Sequence, residues 1–238
     1  MTRSFLVSLI IPIGENPKTV PGGDINLSRH KEGYEEWVNY LSEQYREIHT
    51  LLLEKFDNVV TLADHGELFG EGGAKAHFCG LFKELIHVPL VISGTDIASE
   101  RRDDVVSLVD VHATVSAMAN LQPANRGVDL LTETGSEPRL VEFHGFRANR
   151  LDSLRSNGFS NDEISKYDQY CIGIVMPENY YGHESVDGFV EHGTPNSDSL
   201  ELMATLRDSL DIRDVESTDK TTLSESTNEQ LKRLGYLV

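Results

Sequence analysis

Val59-Val60-Thr61-Leu62-Ala63-Asp64-His65-Gly66-Glu67-Leu68-Phe69-Gly70-Glu71-Gly72-Gly73, with His77 just beyond it, is the stretch on which the fold turns. Its first five residues carry no charge and are largely β-branched, which predicts a short buried strand. The strand must stop where Asp64 begins. In a sheet of alternating strands and helices, ligands gather beyond the carboxyl ends of the strands, and Asp64 and His65 have that address. Together they offer a carboxylate oxygen and an imidazole nitrogen to one divalent cation. Gly66 lets the backbone turn and leaves room for a substrate, while Glu67 and Glu71 add negative potential. His77, across the glycine-rich loop, is placed to return as a donor or acid. Taken alone, a turn with a hydrogen-bonded histidine explains the Asp-His pair as well as a metal site does.

Working outward, Tyr34, Trp37, Val38, Leu41, Tyr45, Ile48, Leu52 and Phe56 recur at three- and four-residue steps. That period predicts an amphipathic helix leading into the strand. Before it, residues 14–33 read as a long loop, and Phe5 to Ile13 as a buried strand ended by glycine and proline. A signal-peptide core is the alternative for that apolar run, but no small-x-small cleavage site follows it. Downstream, Phe78 to Ile86 is expected to be helical and Val88 to Ser93 a strand. Val105 to Val109 follows as a strand or strand end, Val111 to Leu121 as a helix and Arg139 to Phe143 as a strand. This alternation predicts an α/β fold, a mostly parallel sheet with flanking helices.

Beyond residue 146 the texture changes. Tyr167 to Val175, Tyr180 to Glu184 and Gly188 to Glu191 are short strand candidates punctuated by Pro, Gly and Asn, a small antiparallel appendage. Leu200 to Leu210 reads as a helix, residues 211–227 as an acidic linker, and Glu229 to Leu234 as a last helical turn. The expected organisation is 1–146 core, 147–210 C-terminal subdomain, and 211–238 linker and terminal helix. Tyr180, Tyr181 and His183 read as a solvated hairpin, with a pocket lining as the alternative. Asp110 reads as a helix cap, and His112 and His144 as core or surface histidines.

The chain has 238 residues, 21 Lys plus Arg against 39 Asp plus Glu, and a net charge of −18. No stretch supplies the basic stripe that nucleic acid requires, and an anionic membrane would repel the chain. Acidity spread along the whole sequence suits a salt-rich cytoplasm, where screening relieves the self-repulsion, with an ordinary acidic protein as the alternative. Cys79 and Cys171 are too few for a disulfide framework and read as buried thiols.

Leu62-Ala63-Asp64-His65-Gly66-Glu67-Leu68-Phe69-Gly70-Glu71, then His77, then Leu81-Phe82-Lys83-Glu84-Leu85-Ile86-His87-Val88-Pro89-Leu90-Val91-Ile92, resembles the sulfatase family of the alkaline phosphatase superfamily. Ser107-Leu108-Val109-Asp110-Val111-His112-Ala113-Thr114-Val115 and Arg126-Gly127-Val128-Asp129-Leu130-Leu131 are similar to two later family segments. The close, Gln230-Leu231-Lys232-Arg233-Leu234-Gly235-Tyr236-Leu237, resembles that of sulfatase-like proteins from salt-loving archaea.

The resemblance implies an alkaline phosphatase-like core and a hydrolase of sulfate, phosphate or phosphonate esters. It implies that Asp64 and His65 bind the catalytic divalent cation, Ca2+ first, with Mg2+, Mn2+ or Zn2+ as alternatives. It assigns His77 to the ester's anionic oxygens or leaving group, so the implied partner is a small anionic ester. The family's nucleophile motif, Cys or Ser followed by x-Pro-x-Arg, is absent from these residues, as is its early pair of acidic ligands. The expectation is therefore the second half of a sulfatase, N-terminally incomplete, holding a cation weakly and inactive alone. Self-association or an N-terminal partner chain is expected to cover the incomplete sheet. The alternatives are a non-catalytic remnant binding a cation, an anionic ligand or a partner, and a divergent phosphotransferase with another nucleophile.

Overall fold

A computed structural model describes residues 4–8, 27–73, 75–77, 79–122, 126–133, 135–156, 158–210, 225–227 and 229. Two compact units comprise Met1–Ala204 and Thr205–Val238. In chain order the elements are β1 (Ser4–Ser8), α1 (Leu27–Leu53), β2 (Asn58–Leu62), β3 (Leu68–Phe69), β4 (Lys75–Ala76), α2 (Lys83–Ile86) and β5 (Leu90–Gly94). They continue with α3 (Leu108–Met118), β6 (Arg139–His144), α4 (Ala148–Ser156), α5 (Asn161–Tyr167), β7 (Tyr170–Met176), β8 (Tyr180–Ser185), β9 (Gly188–His192) and α6 (Ser199–Asp208). The expected strand through Ile13 is described as far as Ser8. Of the expected 14–33 loop, residues 14–26 lie outside the described residues and residues 27–33 are corrected to the first turns of α1; most of the 211–238 linker and terminal helix also lies outside the described residues.

The strand that opened the reading is the centre of a three-stranded sheet ordered β1-β2-β5. Its β-branched residues alternate between two faces, as a pleat requires. On one face Tyr45 of α1 hydrogen-bonds Thr61, and His49 lies 3.2 Å from the Ser93 hydroxyl. On the other, Val60 and Leu62 pack with Val111 of α3 and with Leu90, Ile92, Val115 and Met118. The sheet is thus covered by helices on both sides. α1 carries more apolar surface than this contact uses: Trp37, placed by its period on the packed stripe, is 40% exposed, as are Tyr40, Ile48 and Leu51 to a greater degree.

The expected mostly parallel sheet is not what forms. β1 and β2 are parallel, but β2 and β5 are antiparallel, with Leu62 opposite Leu90 and Asn58 opposite Gly94. A parallel return would need a crossover element long enough to carry the chain back along the sheet. The helix expected over Phe78 to Ile86 shrinks to the four residues of α2, about 6 Å of rise, against about 17 Å for a five-residue strand. Phe82 is extended (φ −67°, ψ 140°) and Gly80 has φ 73°, so no helix begins earlier. The chain re-enters the sheet at the end from which it left.

The strand at Arg139 does not join this sheet. It is β6, the edge of a four-stranded antiparallel sheet ordered β6-β7-β8-β9, with Arg139 opposite Val175 and His144 opposite Tyr170. α4 and α5, which precede β7, were not foreseen. α5 is announced by a capping box, Ser160 and Glu163 exchanging side chain-to-backbone bonds. Tyr180, Tyr181 and His183 are 1%, 7% and 3% exposed, so the solvated-hairpin reading is corrected. The face of β8 that carries Tyr181 and His183 is covered from the α2 region, where the Tyr181 hydroxyl donates to the Leu81 carbonyl. Leu68, Cys79 and Leu85 form a core with Phe82, Ile86, Phe146 and Tyr167, seating the β3–β4 hairpin on α2 and the C-terminal elements.

Val105 to Val109 is not a strand. Ser107, extended at φ −127°, caps α3 in a box with Asp110. Asp110 is 1% exposed and accepts from the Ser107 amide at 2.8 Å, the Val128 amide at 3.0 Å and Arg139 at 3.4 Å. The Thr114 hydroxyl donates to the Asp110 carbonyl and accepts from the Leu130 amide. These bonds tie the two family-like segments, around residues 107–115 and 126–131, to each other.

Candidate active site

β2 delivers Asp64 and His65 at its carboxyl end, and the loop then docks on α2. The Gly66 amide donates to the Leu85 carbonyl at 2.8 Å. A Cβ on Gly66 would overlap the Glu84 carbonyl oxygen. This glycine is therefore required by close backbone approach to α2.

Asp64 and His65 side chains are each 39% exposed, with His65 Nε2 3.9 Å from Asp64 Oδ1. The His65 amide also donates to Asp64 Oδ1 at 3.1 Å. His65 Nδ1 lies 2.9 Å from the Gly66 carbonyl oxygen, which can only accept. That contact makes Nδ1 the protonated nitrogen of the neutral ring and leaves the lone pair of Nε2 on the Asp64 side. A hard oxygen and an imidazole nitrogen therefore converge, which is the donor chemistry a divalent cation takes. Among the described residues no group of three or more His, Cys, Asp or Glu is arranged to hold an ion.

The β3–β4 hairpin brings His77 back to the same spot. Its ring stacks on that of His65, centroids 4.4 Å apart and planes within 16°. Its Nδ1 lies 3.0 Å from Glu67 Oε2. All three residues singled out from sequence, Asp64, His65 and His77, meet in one cluster. The partnership of Glu67 with His77 was missed, because it rests on the hairpin register: Leu68 pairs with Ala76, so 67 and 77 are the next positions outward. Glu71 instead bonds the amide of Phe69 inside its own loop. Tyr34 of α1 stands near this charge; burial, and then Glu67, push its hydroxyl above its ordinary value.

Neither cysteine is a nucleophile in waiting. Burial pushes Cys79 up to about 11, with Arg150 opposing weakly, and raises Cys171 as well. Both are free, buried thiols, neutral at physiological pH. His112 and His144 lie at the exposed surface.

No family model matches the chain. A sulfotransferase of low-salt glycan biosynthesis from Haloferax volcanii, Agl7, is 27% identical over 88% of this chain and 59% of its own length. Among solved structures, a phosphonate monoester hydrolase of Agrobacterium radiobacter superposes with TM-score 0.54 and 18% identity, covering 76% of this chain and 40% of that one. A sulfatase from Bacteroides thetaiotaomicron gives 0.52 and 13%, covering 88% and 44%. The fold is sulfatase-like. The resemblance read from the motifs around Asp64 is thus met by a halophilic relative in sequence and by sulfatases and phosphonate hydrolases in fold. The chain spans about three-fifths of its curated relative and less than half of these structural neighbours. Among the described residues no helix is long and apolar enough to cross a membrane.

Proposed function

We propose that this chain carries the cation-holding and proton-handling part of a sulfatase-like hydrolase acting on small sulfate, phosphate or phosphonate esters. The convergence of Asp64, His65 and His77 at the carboxyl end of β2 is the observation that supports it. Asp64 and His65 would hold the divalent cation, Ca2+ foremost, which when bound polarises an ester oxygen. Asp64 contributes the negative oxygen and His65 the Nε2 lone pair. His77, oriented through Nδ1, presents Nε2 to an anionic oxygen or to the leaving group. The nucleophile motif is not among these residues, so little or no turnover is expected from the chain alone, and a partner chain is proposed to supply the rest. The molecule's acidity fits work in a salt-rich cytoplasm.

The test uses the full chain in high KCl. Calorimetric titration with Ca2+ is expected to show weak binding that disappears in Asp64→Ala while the fold, read by circular dichroism, is kept. No binding in the wild type would overturn the cation-site reading. Assays with p-nitrophenyl sulfate and phosphate complete it: turnover abolished in Asp64→Ala would show the chain to be active by itself. A second reading, group transfer to a hydroxyl acceptor in place of water, is favoured by the sulfotransferase name of the halophilic relative. It uses the same cluster, and added alcohol acceptors in the same assay separate the two.

A further inference from the structure

Glu67 is the buried charge of this region: the residue is 8% exposed, its Oε2 faces His77, and Oε1 has no hydrogen-bond partner among the described residues. Burying a carboxylate with half its acceptors unused is costly, and for packing alone an apolar side chain would serve the position better. What the carboxylate does is fix His77. The hairpin register places the two residues opposite each other beyond Leu68 and Ala76, and the ring is held on its flat side by His65.

We propose that Glu67 is the positioning residue for His77, accepting a hydrogen bond from Nδ1–H so that the neutral imidazole keeps one tautomer and one orientation toward the ester. The proposal rests on the reading of this cluster as an ester site. A carboxylate partner of this kind sets which ring nitrogen is protonated and raises the basicity of the other.

The tautomer can be read without turnover. Long-range 1H–15N spectra of the 15N-labelled full chain in high KCl, at a pH where the ring is neutral, are assigned by the signals lost in His77→Gln. Nδ1 is expected to be protonated in the wild type and to lose that proton to Nε2 in Glu67→Leu, an apolar replacement that relieves the unused acceptor. Glu67→Asp, which withdraws the carboxylate by one methylene, is expected to give the same loss in smaller measure and serves if the leucine variant does not fold. An Nε2-protonated ring in the wild type, or an Nδ1-protonated ring unchanged in the variants, would overturn the proposal. Ca2+ calorimetry on wild type and Asp64→Ala reports separately on the ester-site reading, so a failure of either is seen for what it is.

Discussion

Asp64 and Asp110 stand in two equally recognisable motifs and lead opposite lives. Asp64 ends a strand with its side chain 39% exposed, beside an imidazole lone pair. Asp110 opens a helix, 1% exposed, its two oxygens taken by two amides and an arginine. A carboxylate saturated by its own chain has nothing left to give a ligand and serves the fold. A carboxylate at an open strand end, next to an imidazole, stands where the proposed cation would be held. Motif membership alone does not separate these roles; burial and spent acceptor capacity do.

The hardest blow to this contrast is Asp110→Ala. It leaves the amides of Ser107 and Val128 and the Arg139 guanidinium without their acceptor, and it leaves the Leu130–Thr114 bond to hold the 126–131 segment to α3. Breaking a buried charged pair of this kind costs about 3–5 kcal/mol. Chemical denaturation in high KCl measures it, and Asp64→Ala in the same experiment is expected to stay within about 0.5 kcal/mol of wild type. Equal losses at the two positions would erase the distinction.

Gly66→Ala tests whether the chemical loop also contains purely structural parts. A methyl group there meets the Glu84 carbonyl of α2, and overpacking of this type costs about 1–3 kcal/mol. The strand end would have to move off α2, so Ca2+ binding is expected to weaken together with stability. A fully stable variant would show that the loop docks more loosely on α2 than the 2.8 Å bond from Gly66 to Leu85 implies.

The local signals of the site were legible because each was short-range. β-branched residues gave β2, charge gave its end, and the glycine-rich loop gave the return of His77, whereas the hairpin register that sets Glu67 opposite it comes from the structure alone. The direction of β5 was not legible, since it depends on whether the intervening segment is long enough to cross the sheet. An apolar run from Phe78 to Ile86 has the same pattern whether it makes two turns of helix or, as here, one. The placement of β6 failed for a related reason: Arg139 to His144 can pair with any edge, and β7 is more than twenty residues downstream. Tyr181 and His183 looked solvated because the element that buries them, around Leu81 and Phe82, lies about a hundred residues earlier.

His183 supplies a third case beside the two aspartates, buried yet unsaturated. It is 3% exposed, its Nδ1 has no hydrogen-bond partner among the described residues, and its ring lies nearly parallel to those of Tyr181 and His192, with centroids 4.9 and 6.1 Å away. Burial first, and then the nearby His192, lower its pKa from the ordinary 6.5, with Glu84 pulling the other way. The unfolded chain therefore takes up this proton at a higher pH than the folded one. Stability is intact above about pH 6.5 and falls as the pH drops from there toward the lower folded value, by at most about 1.4 kcal/mol per pH unit for one group. Urea unfolding at about pH 7.5 and about pH 5.5, in wild type and His183→Phe, isolates that part. The variant keeps the ring stack and is expected to lose less stability between the two conditions. Identical losses would mean that His183 is protonated in the folded protein, and that its buried, unsaturated state is not what the β8 face imposes.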